Sequence, residues 1–89
     1  MINSLDRINK VIRKLVGRTM GRNKLGDYMF QRGFTLDDIT NVSSVTDRYV
    51  FRRVNGEINE YAYIDFQDIS WNIIRIMGCT IEIDKFGGV

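Results

Sequence analysis

The chain has 89 residues and a mass of 10.4 kDa, with 44% hydrophobic and 27% charged residues, so it has room for one domain and excludes a multidomain enzyme. It contains no histidine and a single cysteine, Cys79, which excludes an internal disulfide, His-based metal sites and Ser/His/Asp triads. No apolar run approaches the roughly 18 residues of a membrane span, and the N-terminus lacks the apolar core of a signal peptide. We therefore expect one soluble, cytoplasmic domain over residues 1–89, with no catalytic residues, metal or cofactor and no membrane partner.

Charge is distributed unevenly along the sequence, although the net charge is only +2. Residues 1–34 carry eight Lys/Arg and two Asp, whereas residues 35–89 carry five Lys/Arg and nine Asp/Glu. This split predicts a dipolar molecule. Its basic end suits a nucleic acid or an acidic protein, although a solvated helix face would show the same pattern.

The first third of the chain has helical periodicity. A helix is predicted over residues 4–20 with Asn3 as N-cap, because its apolar side chains fall on one half of a helical wheel. The other half carries the cations Arg7, Lys10, Arg13, Lys14 and Arg18. A second helix is predicted over 24–32, with Asn23 as N-cap and Gly33 as a left-handed stop.

A third, shorter helix is predicted to start at Thr35. Thr35 suits an N-cap, and Phe34 and Ile39 have the spacing of a hydrophobic staple.

A β-hairpin is predicted next, with strands near 45–54 and 57–66, because β-branched and aromatic residues are interrupted by Asn55-Gly56. A two-residue loop at these two positions places Arg48 opposite Tyr63. One face of this hairpin is apolar and should pack on the helices, and the other is the outer face. The outer face carries Arg48, Arg52, Tyr61 and Tyr63.

Helical spacing returns after Asp65 and ends at Gly78, so that Trp71 and Arg75 share an exposed helix face, and a last strand is predicted over 79–85. A right-handed crossover sets this strand beside the first hairpin strand. The predicted fold is a small α+β domain: N-terminal helices, a β-hairpin, a helix and a last strand. The strands form a three-stranded, mainly antiparallel sheet covered by helices on one face.

The outer face of the hairpin is one candidate nucleic-acid site. Tyr61 and Tyr63 suit a platform for unstacked bases, with Arg48 and Arg52 reaching phosphates or stacking. Ordinary cross-strand pairing, or burial of this face by a second subunit, explains the same residues.

The basic N-terminal segment is a second candidate, because a stripe of cations releases counterions from a polyanion. A solvated helix face and a membrane-surface helix are the alternatives. The glycines beside Arg18 and Arg22 suggest a phosphate loop but lack its Gly-Lys-Ser/Thr ending. The predicted phosphate contacts are Arg7, Lys10, Lys14, Arg18, Arg22 and Lys24.

Trp71 and Arg75 are candidates for a protein interface, since Trp and Arg are enriched in binding hot spots. Alternatively, Trp71 closes one edge of the core. Cys79 is expected to serve as buried packing.

Two functions of different classes follow from these features. The first is a non-enzymatic nucleic-acid-binding protein, preferring RNA to DNA, that regulates or inhibits by coating or sequestering its target. The second is a protein-binding inhibitor or assembly factor, such as a small phage-type protein that blocks a host enzyme through Trp71, Arg75 and the acidic C-terminal half. Open sheet edges also predict a homo-oligomer, most simply a dimer.

Overall fold

Five antiparallel strands dominate the computed structural model, which describes residues 5–85. The elements in chain order are α1 (Leu5–Arg13), β1 (Thr19–Gly21), α2 (Arg22–Phe30), β2 (Thr35–Asn41), β3 (Asp47–Asn55), β4 (Ile58–Ser70) and β5 (Ile73–Lys85). The strands form one sheet of order β1-β5-β4-β3-β2 that curls into a half-barrel. The predicted α+β fold with a three-stranded sheet covered by helices is therefore wrong, because the described chain is mostly β with only two short helices.

The core lies between α1, α2 and one face of the sheet, which we call the inner face. Alternate residues of β3 and of β4 up to Phe66 point into it, and α1 contributes residues at helical spacing. The buried apolar side chains are Ile8, Ile12, Leu15, Leu25, Met29, Phe34, Tyr49, Phe51, Ala62, Ile64, Phe66, Ile74 and Ile76. The apolar face predicted for the hairpin is thus confirmed at the five residues of β3 and β4 in this list, which run from Tyr49 to Phe66.

The first helix is shorter than predicted. It ends at Arg13, and Gly17, with φ +88°, donates its N–H to the Ile76 carbonyl at 2.8 Å. This contact turns the chain into β1, whose Thr19 lies opposite Arg75 of β5. A three-residue strand has no periodicity of its own, so only its partner strand determines it. The predicted cap Asn3 lies outside the described residues.

The second predicted helix is confirmed with a shift of its start. The helix α2 begins at Arg22 after Gly21, which makes no side-chain capping hydrogen bond, so Asn23 is not its N-cap. Gly33 has φ +89° and stops the helix in the left-handed conformation, as predicted. Neither helix within residues 5–85 is long and apolar enough to cross a membrane.

The third predicted helix is instead the edge strand β2. Its register shifts between Leu36 and Asp38, so that Leu36 lies opposite Phe51 and Ile39 opposite Tyr49. The extra residue of this β-bulge keeps Leu36 and Ile39 on the inner face at a spacing of three. Residues three positions apart also share one face of an α-helix, so this strand has a helix-like pattern.

The predicted hairpin is confirmed as β3 and β4, with a register shifted by two residues. Asn55 pairs with Ile58, so the turn residues are Gly56, with φ +63°, and Glu57. Glycine in the first central position suits a type II′ turn. Arg48 therefore lies opposite Asp65 and not Tyr63. A shift of two leaves each side chain on its predicted face.

The predicted helix after Asp65 is wrong, because β4 continues to Ser70 and a second hairpin follows. Register shifts at Asp65/Phe66 and Asp68/Ser70 interrupt the two-residue alternation and imitate helical spacing. The last strand is part of β5, and its neighbour is β4, since a tight turn replaces the expected crossover.

Candidate nucleic-acid interface

The sheet face opposite the helices, the outer face, brings the predicted platform residues together. Tyr61 and Tyr63 are half-buried there, with stacked rings whose centroids lie 6.3 Å apart at an interplanar angle of 14°. The Arg48 guanidinium lies 5.4 Å from the centre of the Tyr63 ring. Arg52 lies opposite Tyr61. The sequence therefore predicted the composition of this face correctly.

The arginines of the outer face are engaged by carboxylates. Arg48 donates from Nε and Nη2 to the two carboxylate oxygens of Asp65, at 2.6 and 3.2 Å. This hydrogen bonding raises the pKa of Arg48 above its ordinary value. Arg52 forms a looser pair with Asp37, at 3.7 Å. These carboxylates offset the positive charge that a phosphate would meet at Arg48 and Arg52.

Glu82 adds a further negative charge beside the tyrosines. Partial burial, and then a hydrogen bond to Glu82, raise the pKa of Tyr63. Arg75 also faces this side, since it lies on β5 between the buried Ile74 and Ile76. The outer face thus carries three guanidinium groups and at least three carboxylates, and Asp65 and Asp37 pair with two of the guanidinium groups, those of Arg48 and Arg52.

The cations of the helices lie on the other side of the molecule. Arg7, Lys10 and Lys14 are exposed on α1 and the turn after it, away from the buried Ile8 and Ile12. Arg18 and Lys24 are also exposed, before β1 and in the first turn of α2. The amphipathic pattern of the sequence therefore correctly identified these residues as surface cations.

Arg22 differs from the other predicted phosphate contacts because its guanidinium is held by the protein. Nη1 donates to the Tyr49 hydroxyl at 2.7 Å, and Nη2 forms an ion pair with Asp68. The group also lies 5.3 Å from the centre of the Phe66 ring. Arg22 thus ties the start of α2 to β3 and β4.

Trp71 occupies the turn between β4 and β5, and its side chain is 91% exposed. The predicted helix face shared with Arg75 does not exist, since Arg75 lies on β5 opposite Thr19. Trp71 also does not close the core. Its turn lies against the start of α2, where Arg22 donates its backbone N–H to the Asn72 carbonyl at 3.0 Å.

A shallow cavity of about 450 Å³ lies between Trp71 and Arg22, also lined by Asp68. The sequence predicts Trp71 and Arg22 on different surfaces. Arg22 and Asp68 are 46 positions apart in the chain, and no periodicity relates positions so distant. The pairing of β1 with β5 brings them together.

The predicted site residues therefore do not form one surface. The helix cations lie on the side of the sheet that carries the helices, Trp71 lies in the β4–β5 turn, and Arg75 lies with the Tyr/Arg cluster on the outer face. Cys79 is half-buried against the core, and burial raises its pKa to about 11, so its thiol is protonated at neutral pH. No protein-family model, curated protein or solved structure matches this chain.

Proposed function

We propose that this protein binds single-stranded nucleic acid, without catalysing a reaction on it, through a surface on its helix-bearing side. This surface, which we call the basic strip, consists of Lys10, Lys14, Arg18, Lys24 and Trp71. The proposal rests on one observation: Trp71 is almost fully exposed to solvent in a turn beside the start of α2.

The position of Trp71 favours stacking on a base. A tryptophan that is 91% exposed contributes little to the core, and its ring is open to a planar ligand. Its turn is braced by the hydrogen bond from Arg22 to Asn72, so the ring is presented on a structured element. Base–aromatic stacking contributes roughly 1–3 kcal/mol per base.

The start of α2 favours a phosphate beside the stacked base. The first turn of this nine-residue helix has no acidic residue and no side-chain cap, and it carries Lys24. The positive end of the helix dipole and a lysine both attract an anion. Arg22 is committed to Tyr49 and Asp68, so we assign it as a positioning residue that holds α2 against the sheet.

The remaining cations extend the phosphate path along α1. Gly17 and Arg18 are tied to Ile76 by backbone hydrogen bonds, which joins the end of α1 to the β5 strand that follows Trp71. We place Lys10 and Lys14, which are exposed on α1 and in the turn after it, further along this path. Stacking and charge do not require a 2′-hydroxyl, so single-stranded RNA and DNA should both bind, whereas a duplex keeps its bases unavailable for stacking. Such binding would coat or sequester the target.

The test is a titration of fluorescein-labelled single-stranded U20 RNA and T20 DNA, followed by anisotropy at 50 mM salt. We expect Trp71→Ala to weaken binding roughly five- to 150-fold, which corresponds to the loss of one stacked base. The matched control is Phe30→Ala, because Phe30 is also a large exposed aromatic side chain, at 68%, but lies at the other end of α2. Trp71 is the only tryptophan of the chain, so its fluorescence should be quenched as the strand binds.

Equal losses for Trp71→Ala and Phe30→Ala, or binding without quenching, would contradict the assignment of Trp71. No binding of either oligonucleotide at 50 mM salt would remove nucleic acid as the ligand and favour a protein target.

A further inference from the structure

A cleft of about 540 Å³ opens between α2 and the inner side of β2. Its floor is apolar and is formed by Leu36 and Ile39 of β2 with Tyr49 and Phe51 of β3. Although Leu36 and Ile39 point to the same face as the core residues, about half of each side chain is exposed. The core is therefore incompletely covered along this edge.

The strand β2 is the last strand of the sheet and pairs only with β3 among the described strands. All seven of its residues are exposed. An edge strand offers unpaired backbone groups to another chain, and proteins bind extended peptides by adding them as a further strand. Here the open edge and an apolar cleft lie side by side. In strand addition the edge supplies backbone hydrogen bonds and the cleft accepts alternate side chains of the added segment.

Charges around the edge select the kind of segment that fits. Asp38 lies opposite Val50 and therefore faces the outer side of the sheet, and Asp37 pairs with Arg52 on the same side. On the inner side the cleft is bordered by Asp27 and by Arg22, whose guanidinium is paired with Asp68. An added strand would meet apolar side chains with one set of its alternating residues and carboxylates with the other.

A second copy of the chain fits this edge poorly. Antiparallel pairing of β2 with itself about its central residue, Asp38, places that carboxylate opposite its own copy. Asp37 would lie close to the same charges. Like charges opposite each other destabilise paired strands, and such residues protect edges from self-pairing.

We infer that β2 and its cleft bind an extended segment of a partner protein in which apolar and basic side chains alternate. The apolar residues enter the cleft over Leu36 and Ile39, and the backbones hydrogen-bond along β2. The basic residues pair with Asp38 and compete with Arg52 for Asp37. This surface is distinct from the basic strip and does not depend on nucleic-acid binding.

The test uses four labelled synthetic peptides of eight residues in anisotropy titrations at 150 mM salt. The first alternates valine and lysine, the second has the same composition in two blocks, and the third alternates valine and glutamate. The fourth is the first peptide with backbone N-methyl groups at alternate residues, which block strand pairing. We expect the first peptide to bind at least tenfold more tightly than each of the others.

Three protein variants test the site. Ile39→Gln should lower the affinity of the Val/Lys peptide at least tenfold, whereas Val54→Gln, an equally exposed position on β3 outside the cleft (56% against 53%), should not. Asp38→Asn removes a charge but keeps an acceptor for the Ile39 N–H, which now donates to Asp38 Oδ1 at 2.8 Å. This variant should bind the Val/Lys peptide more weakly and with a smaller dependence on salt.

Several results would overturn the inference: no binding of the Val/Lys peptide at 1 mM, equal binding of the N-methylated peptide, or equal effects of the two Gln variants. A wild-type dimer that Ile39→Gln converts to a monomer would assign the edge to a second copy instead. Circular dichroism establishes that each variant is folded before titration.

Discussion

At the scale of single residues, the least expected feature is an ion pair inside the protein. Arg53 Nε donates to Glu60 Oε1 at 2.5 Å, and Nη1 donates to the Arg32 carbonyl at 3.2 Å. The side chains are only 11% and 5% exposed. The guanidinium also lies 5.1 Å from the centre of the Phe34 ring. Both charges are thus removed from water and depend on each other.

We predict that Arg53→Met destabilises the protein by about 3–5 kcal/mol, because it leaves the Glu60 carboxylate buried without a partner. The double variant Arg53→Met/Glu60→Met should recover most of that loss, since no charge then remains buried. Urea unfolding followed by circular dichroism measures both. The control Arg52→Met removes an arginine from a partly exposed pair and should cost at most about 1 kcal/mol. Similar costs at positions 52 and 53 would show that the buried pair has no special role.

At the scale of elements, the turn of the β4–β5 hairpin carries Trp71. This turn depends on the backbone conformation of the next residue, Asn72. Asn72 has φ +65° and is the only non-glycine residue with positive φ in the described part of the chain. Asparagine tolerates the left-handed region better than most residues, and glycine adopts it freely.

We predict that Asn72→Ala lowers the free energy of unfolding by roughly 1 kcal/mol, because alanine adopts the left-handed region at a cost. Asn72→Gly should retain the wild-type stability within a few tenths of a kcal/mol. Asn55→Ala is the matched control, since Asn55 ends β3 just before the other hairpin turn but has no positive φ. The prediction fails if alanine is equally tolerated at positions 72 and 55 in urea unfolding.

At the scale of the whole molecule, charge is separated by the sheet. Exposed lysines and arginines follow the helices on one side, whereas Arg48 and Arg52 of the outer face pair with Asp65 and Asp37. The dipole predicted from the sequence is therefore arranged across the thickness of the molecule. The dimer expected from the sequence stays a prediction, and the acidic residues of β2 disfavour its formation through that edge.

We predict that two variants with the same change in net charge differ in their response to salt. Lys10→Gln/Lys14→Gln should weaken binding to single-stranded U20 and reduce the slope of log affinity against log salt by about 0.7 per lost contact. Arg48→Gln/Arg52→Gln should leave that slope unchanged. Titrations between 50 and 200 mM salt measure both slopes. A larger effect of the outer-face variant would move the nucleic-acid site to the Tyr/Arg cluster.

Prediction from sequence succeeded where the pattern of one segment was enough. The hairpin strands, their buried and exposed faces and the left-handed Gly33 follow from alternation and turn chemistry within neighbouring residues. It failed where a bulge or a distant partner intervened. The third helix was predicted from the Thr35 cap and the Phe34/Ile39 spacing, but these residues precede or lie in a bulged edge strand that pairs with β3. The shifts near Phe66 and Ser70 gave the end of β4 a helical spacing.

The sequence by itself determined a single core, an amphipathic basic helix and a face that combines Tyr61 and Tyr63 with Arg48 and Arg52, because these depend on periodicity and local turns. The tertiary structure decided which arginines pair with carboxylates and which aromatic ring is exposed to solvent. Arg48 meets Asp65, and the turn that carries Trp71 meets the start of α2, through strand pairings whose energy comes from backbone hydrogen bonds and burial between distant segments. No local pattern records such pairings, so the location of the candidate site emerged only with the fold.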